Sequence, residues 1–190
     1  GFRFGNEAVP EEARNFKKSH CDHGNGVAAA DVDGDGLPDL YFGSQVGGNQ
    51  LWRNLGSGRF EDITTKAGVG VVGRVCVSAS FADTDNDGDA DLYVSTTRHG
   101  NLFFENDGNG VFKDATQTSG LAFSGHSSGA DFFDYDRDGK LDLFLSNVGV
   151  FTTETIAYSG DPDKKEDPYW VAKDDAFAGH LFSNRTQRSI

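Results

Sequence analysis

"DVDGDGLPDLYF", residues 31 to 42, decides the fold. It opens as the calcium loop of an EF-hand does, with Asp31, Asp33 and Asp35 at alternate positions and Gly36 after them. An EF-hand needs a bidentate Glu at position twelve and a helix beyond it. Position twelve here is Phe42, and Leu40-Tyr41-Phe42 reads as a strand. The stretch is an acidic loop that feeds a strand.

The pattern recurs as "DTDNDGDAD" from 83 and "DYDRDGKLD" from 134, and all three copies fit D-x-D-x-D-G-x-x-D. A period near 50 residues points to a repeat architecture, and a four-stranded propeller blade is the natural unit of that length. The rest of the unit repeats as well. "LWRNLGSGRFEDITTKAGV" (51 to 69) aligns with "FFENDGNGVFKDATQTSGL" (103 to 121), matching Asn54 to Asn106, Gly58 to Gly110, Phe60 to Phe112 and Thr64 to Thr116. Strand one is "GVAAA", "SASFA" or "GADFF", and strand two, after the Asp loop, is "DLYF", "DLYV" or "DLFL". Strand three is "QLWRN" or "LFFEN". A Gly-rich turn leads to strand four, "RFEDIT" or "VFKDAT". Such turns suit hairpins because Gly, Asn and Asp tolerate positive φ.

These motifs resemble the FG-GAP/VCBS repeats of integrin-α-like propellers, and within them the cartilage acidic protein group and its bacterial relatives. The likeness runs well over about residues 20 to 147. It implies an all-β chain, a segment of four-stranded blades from a seven-bladed propeller, extracellular and calcium-binding. Three blades are recognisable here. The expected layout is an N-terminal segment at 1–19 with a possible closing strand, and blades at 20–70, 71–121 and 122–190. The last blade carries a long insertion at about 148–187. That boundary comes from aligning "RSI" (188 to 190) with "NQL" (49 to 51), and it leaves the third blade incomplete. The remaining blades are expected from a longer polypeptide or from further chains that complete the ring.

Composition agrees. The chain has 190 residues, with 25 Gly, 16 Phe and a formal charge of -13. That charge argues against nucleic acid, whose binders need clustered Lys and Arg. No stretch approaches the ~18 apolar residues of a membrane span. Gly1 in place of Met suggests a processed or partial product, which leaves export open, and an extracellular or periplasmic destination follows from the resemblance. Cys21 and Cys76 form no framework; they make one bridge or remain two buried thiols.

The loop chemistry points to calcium, which takes six to eight oxygen ligands at about 2.3–2.6 Å. Positions 1, 3, 5 and 9 supply carboxylates: Asp31, Asp33, Asp35 and Asp39; Asp83, Asp85, Asp87 and Asp91; Asp134, Asp136, Asp138 and Asp142. Position 7 supplies a backbone carbonyl, from Leu37, Asp89 or Lys140. About three Ca²⁺ ions are expected, each tying a strand 1–2 loop.

In a propeller the 1–2 and 3–4 loops share one face, and the 4–1 and 2–3 loops share the other. His23 and His126 each lie eight residues before a loop aspartate, on the face opposite calcium; the second unit has Val75 there. The third unit's insertion adds Tyr169, Trp170 and His180 to that face. These residues either line a ligand pocket or imidazole metal site, or simply cap strands and anchor the insertion. No nucleophile elbow, zinc-protease, Walker or CxxC motif appears, so no catalytic residue is assigned. Two function classes remain: a binding or adhesion scaffold for protein or glycan, and a carbohydrate-active lyase or dehydratase built around the histidines.

Overall fold

The computed structural model describes residues 25–45, 47–97, 99–147, 180–182 and 187–189. Twelve strands fall there into three four-stranded antiparallel sheets, each an uninterrupted meander. The first holds β1 (Val27–Ala30), β2 (Asp39–Phe42), β3 (Gln50–Asn54) and β4 (Phe60–Asp62). The second holds β5 (Val75–Ala82), β6 (Asp91–Thr97), β7 (Leu102–Asn106) and β8 (Phe112–Asp114). The third holds β9 (Ser127–Phe133), β10 (Asp142–Asn147), β11 (His180–Phe182) and β12 (Gln187–Ser189). This is the architecture of propeller blades. One turn of helix, α1 (Thr64–Ala67), follows β4 and ends at Gly68 in the left-handed region (φ 77°).

Side-chain alternation explains how the sheets stack. Successive residues of a strand face opposite sides. In β6, Leu92 and Val94 join the core shared with the first sheet, while Tyr93 joins the core shared with the third. In β7, Leu102 and Phe104 face the first of these cores and Phe103 the second. A sheet covered on both faces reads as an apolar run, and β6 is buried along its whole length. The first strands of successive sheets lie side by side, β1 against β5 and β5 against β9. The Ser80 hydroxyl donates to the Ala130 carbonyl across that line. Approach is close enough that a Cβ on Gly26 would sit 2.7 Å from Ser78 Cα.

The two ends of each sheet are distinct. At one end the Asp loop meets the 3–4 turn: the Asn54 amide donates to Asp39 Oδ1 at 2.7 Å and the Asn106 amide to Asp91 Oδ1 at 2.9 Å. At the other end the 2–3 loop pairs with the connection leading to the next sheet. Gly48 bridges Val72, and the amides of Asn49 and Asn101 donate to the carbonyls of Val71 (3.1 Å) and Phe123 (2.8 Å). The expected sharing of faces is thus observed.

The third sheet corrects one expectation. Its third strand is His180–Phe182, with Phe182 opposite Leu143, as Trp52 is opposite Leu40 and Phe104 opposite Leu92. The "RSI" alignment placed this strand too late. "QRS" is the fourth strand, so the third sheet is complete and the insertion ends before His180. His180 is a β11 strand residue, not part of the insertion. The overlooked signal is a repeated aromatic-x-Asn triplet in the sequence, "WRN" (52 to 54), "FEN" (104 to 106) and "FSN" (182 to 184), whose aromatic lies in strand three of each copy.

Candidate functional site

Each Asp loop is wound around its first carboxylate. Asp31 Oδ1 accepts the amides of Gly34 (2.9 Å) and Asp35 (3.1 Å), and its Oδ2 accepts that of Gly36 (2.8 Å). Asp83 takes the amides of Asp87 and Gly88, both at 3.1 Å. Asp134 takes those of Asp138 (3.0 Å) and Gly139 (2.9 Å). The Gly at position six is left-handed in every copy (φ 83°, 99° and 82°), a conformation open to Gly without a steric cost. Position four is left-handed too, as Gly34, Asn86 (φ 63°) and Arg137 (φ 60°), a requirement the sequence pattern conceals. Position-seven amides of Leu37, Asp89 and Lys140 donate to the position-five carboxylates at 2.9, 2.9 and 3.0 Å, which fixes the backbone there.

Carboxylate oxygens then converge. Ligand atoms of Asp31, Asp33 and Asp39 lie within 4.8 Å of one another, as do those of Asp83, Asp85 and Asp87, and those of Asp134, Asp136 and Asp142. Two ligands on an ion with bonds of about 2.4 Å stand at most about 4.8 Å apart, so each group meets the spacing that sharing one calcium-sized ion requires. The donor set is wholly oxygen, which suits Ca²⁺ or Mg²⁺ rather than the softer metals that favour thiolate or imidazole. Asp35, Asp91 and Asp138 lie in the same loops but outside these tightest groups.

Position nine has a second role. Asp39, Asp91 and Asp142 are only 0, 4 and 2% exposed. Their Oδ2 atoms accept the amides of Val32 (3.0 Å), Thr84 (3.2 Å) and Tyr135 (2.9 Å), closing the loop on itself. Burial pushes the Asp39 carboxyl up from the ordinary range, against the lowering effect of the Asn54 and Val32 amides. Asn54 and Asn106 complete the join through side-chain bonds to the carbonyls of Pro38 (3.0 Å) and Ala90 (3.1 Å). Asn106 also reaches the Val32 carbonyl of the preceding loop at 3.0 Å, so neighbouring loops are tied together.

The first two loops are not equivalent. In the first, Arg53 Nε stands 2.6 Å from Asp33 Oδ2 and its terminal nitrogen 3.5 Å from Asp35 Oδ2. In the second, Glu105 takes the corresponding strand position and two further aspartates crowd the loop. The Asp89 carboxyl is held above its ordinary range by desolvation, then by the charges of Asp87, Asp83, Asp107 and Asp91. Asp85 is raised for the same reasons, desolvation first and then Asp87 and Asp91.

On the opposite face His126 is 7% exposed and makes an isolated bridge to Thr97, just before β9. His23, Tyr169, Trp170, Cys21, Asn184 and the 1–19 segment lie outside the described residues. Of His23, His126 and His180, only His126 has a described side chain, and it is buried beside β9. Cys76 is a buried free thiol. Sequence reading passed over two buried bridges near this face. Asn49 Nδ2 donates to the Tyr41 hydroxyl (2.8 Å) and to Cys76 Sγ (3.2 Å). Asn101 Nδ2 donates to the Tyr93 hydroxyl (3.1 Å) and to Ser127 Oγ (2.8 Å). Their signal was the matched Tyr and Asn in register. An open cleft of about 310 Å³ lies at this end of the second sheet, beside the connection leading to the third, lined by Arg74, His99, Asp114, Gln117, Phe123 and Ser124 among others.

Among known proteins, the model of the FG-GAP-like repeat matches residues 31–94 and again 83–145, together more than half of the chain. Cartilage acidic protein 1 of Homo sapiens is 29% identical over 137 residues, which cover 66% of this chain and 20% of that protein. The protein of the same name from Xenopus tropicalis is 30% identical over 129 residues, with 66% and 20% covered. The chain spans about a fifth of the length of these curated relatives.

Proposed function

The chain belongs to the FG-GAP-like repeat family, and from that premise we propose that it is a calcium-binding part of an extracellular β-propeller that serves as a binding or adhesion scaffold for protein or glycan. The observation that carries the proposal is the threefold convergence of carboxylate oxygens within 4.8 Å in loops of one design. Bound calcium would neutralise each cluster, with Asp39, Asp91 and Asp142 linking the ion to the sheet. Three dications would lower the formal charge from -13 to about -7.

The extracellular setting is supported by kinship. Relatives from two vertebrates carry the name cartilage acidic protein. Among the described residues no helix is long and apolar enough to cross a membrane. The partner would use the end opposite the loops. There the sequence departs from its own repeat and the Arg74–Phe123 cleft offers cationic, aromatic and hydroxyl groups.

Calcium titration of the purified protein by calorimetry, with melting curves in calcium and in EGTA, tests the first part. About three ions per chain and a higher melting temperature in calcium are expected; no heat and identical melts would overturn it. Glycan arrays and pull-downs with the full protein test the second. Ligand capture that is abolished by Arg74→Glu supports the scaffold reading, and capture unchanged by that substitution removes the cleft as its binding surface.

A further inference from the structure

The first loop already contains a cation. The Arg53 guanidinium reaches Asp33 and Asp35, the carboxylates at positions three and five, with its closest approach 2.6 Å. It comes from β3, whose pairing fixes its place: Trp52 lies opposite Leu40, the residue after position nine, and Arg53 follows. In the second sheet Phe104 lies opposite Leu92 and Glu105 follows. The same strand position thus holds a positive charge beside one loop and a negative charge beside the next. Cross-strand neighbours invert as well, Arg53 opposite Glu61 and Glu105 opposite Lys113.

We propose that Arg53 is a built-in counter-cation of the first loop, holding it in shape when calcium is scarce and making it a weaker calcium site than the second loop. This rests on the calcium reading above. A dication entering the first loop must share Asp33 and Asp35 with a guanidinium or displace it. Either course costs free energy, because like charges a few ångströms apart repel and the ion pairs to Asp33 and Asp35 must be opened. Among the described residues the second loop has no ion pair with an arginine of this kind. Asp89 and Asp107 add negative charge around it, and Glu105 takes the strand position that Arg53 holds in the first sheet. The second loop is therefore the one that most needs calcium, and the loops fill in order, second before first. In effect the scaffold loses rigidity in two steps as calcium falls, with the β1–β2 loop kept closed by its own arginine.

The test is calorimetric calcium titration of the full protein and of two reciprocal variants, Arg53→Gln and Glu105→Arg. Glu105 is exposed, so the second substitution leaves the core untouched. Wild type is expected to show separate strong and weak classes. Arg53→Gln should tighten the weak class by about tenfold, and Glu105→Arg should weaken the strong class by about tenfold. In EGTA, Arg53→Gln alone should raise the rate of proteolytic cleavage within residues 31–39. Calcium binding in wild type with both classes unmoved by both variants overturns the role of Arg53 and leaves the calcium reading intact. No calcium binding in any of the three proteins overturns both.

Discussion

The two ends of these sheets follow opposite rules. At the loop end the same atoms meet in each copy. The position-one carboxylate gathers two or three amides, position six is a left-handed Gly, and position nine is buried and accepts from the second loop residue. At the other end the Tyr–Asn bridges repeat but the places around them differ. Cys76 stands where the next sheet has Ser127, and Val75 where it has His126. A bridge from Gly48 to Val72 gives way to an Arg74 guanidinium donating to the carbonyls of His99 and Gly100 at 2.5 and 2.7 Å. Repetition marks the end that builds the disc. Divergence marks the end that is free to become particular to a partner.

Chelation should break the comparison most sharply. If free calcium stands at tenfold its Kd, each loop gains about 1.4 kcal/mol, so three loops lose about 4 kcal/mol in EGTA. For a chain of this size each kcal/mol moves the melting temperature by about 2–4 °C. A melt insensitive to EGTA would mean that the repeated end is held by its hydrogen bonds alone.

Asp91→Ala ranks next. It strands the part-buried amide of Thr84 and the buried amide of Asn106, each worth about 1–3 kcal/mol when left without a partner, for an expected loss of about 3 kcal/mol. Much of that loss should persist in EGTA, because the hydrogen bonds exist without the ion. A loss seen only in calcium would reduce position nine to a plain ligand. Asn101→Ala, away from the loops, should cost about 2 kcal/mol with no calcium dependence, since it removes bonds to Tyr93, Ser127 and the Thr96 amide. Differential scanning calorimetry in the two buffers separates these cases.

What the sequence disclosed follows the same division. The loops, the strands beside them and the shared face of the 1–2 and 3–4 turns were readable, because Asp, Gly and Asn there answer to local geometry. "DLYF" is β2 residue for residue, and the Asp-x-Thr ending of strand four has a visible cause. Thr64 and Thr116 hydroxyls accept the amides of Leu51 and Phe103 at 2.9 and 3.0 Å and so end the ladder. Arg53 was not readable as a loop residue, because its contact with Asp33 depends on strand register and a side-chain reach of twenty positions. The third strand of the last sheet was misplaced for a related reason. An insertion destroyed the spacing, and only the aromatic-x-Asn triplet remained to mark it. The Tyr–Asn bridges were hidden because Tyr41 and Tyr93 look like ordinary strand aromatics until their hydroxyls are seen donating to the carbonyls of Val69 (3.1 Å) and Leu121 (3.2 Å).

The smallest expected effect is also the most discriminating for the variable end. Cys76 and Ser127 are equivalent in position but not in bonding. Cys76 Sγ receives the Asn49 side chain, and burial pushes its thiol up, so it behaves as a small neutral group. Ser127 Oγ receives Asn101 and in turn donates to Asn147 Oδ1 at 3.0 Å. Cys76→Ser puts a hydroxyl into a site built for a larger, weaker donor and should cost about 1 kcal/mol. Ser127→Cys replaces a strong donor with a weak one and overfills its site, and should cost about 2 kcal/mol. Urea melts of the two variants measure the asymmetry. Equal losses would mean that the two inter-sheet joints are interchangeable after all, and that divergence at this end is drift without consequence for packing.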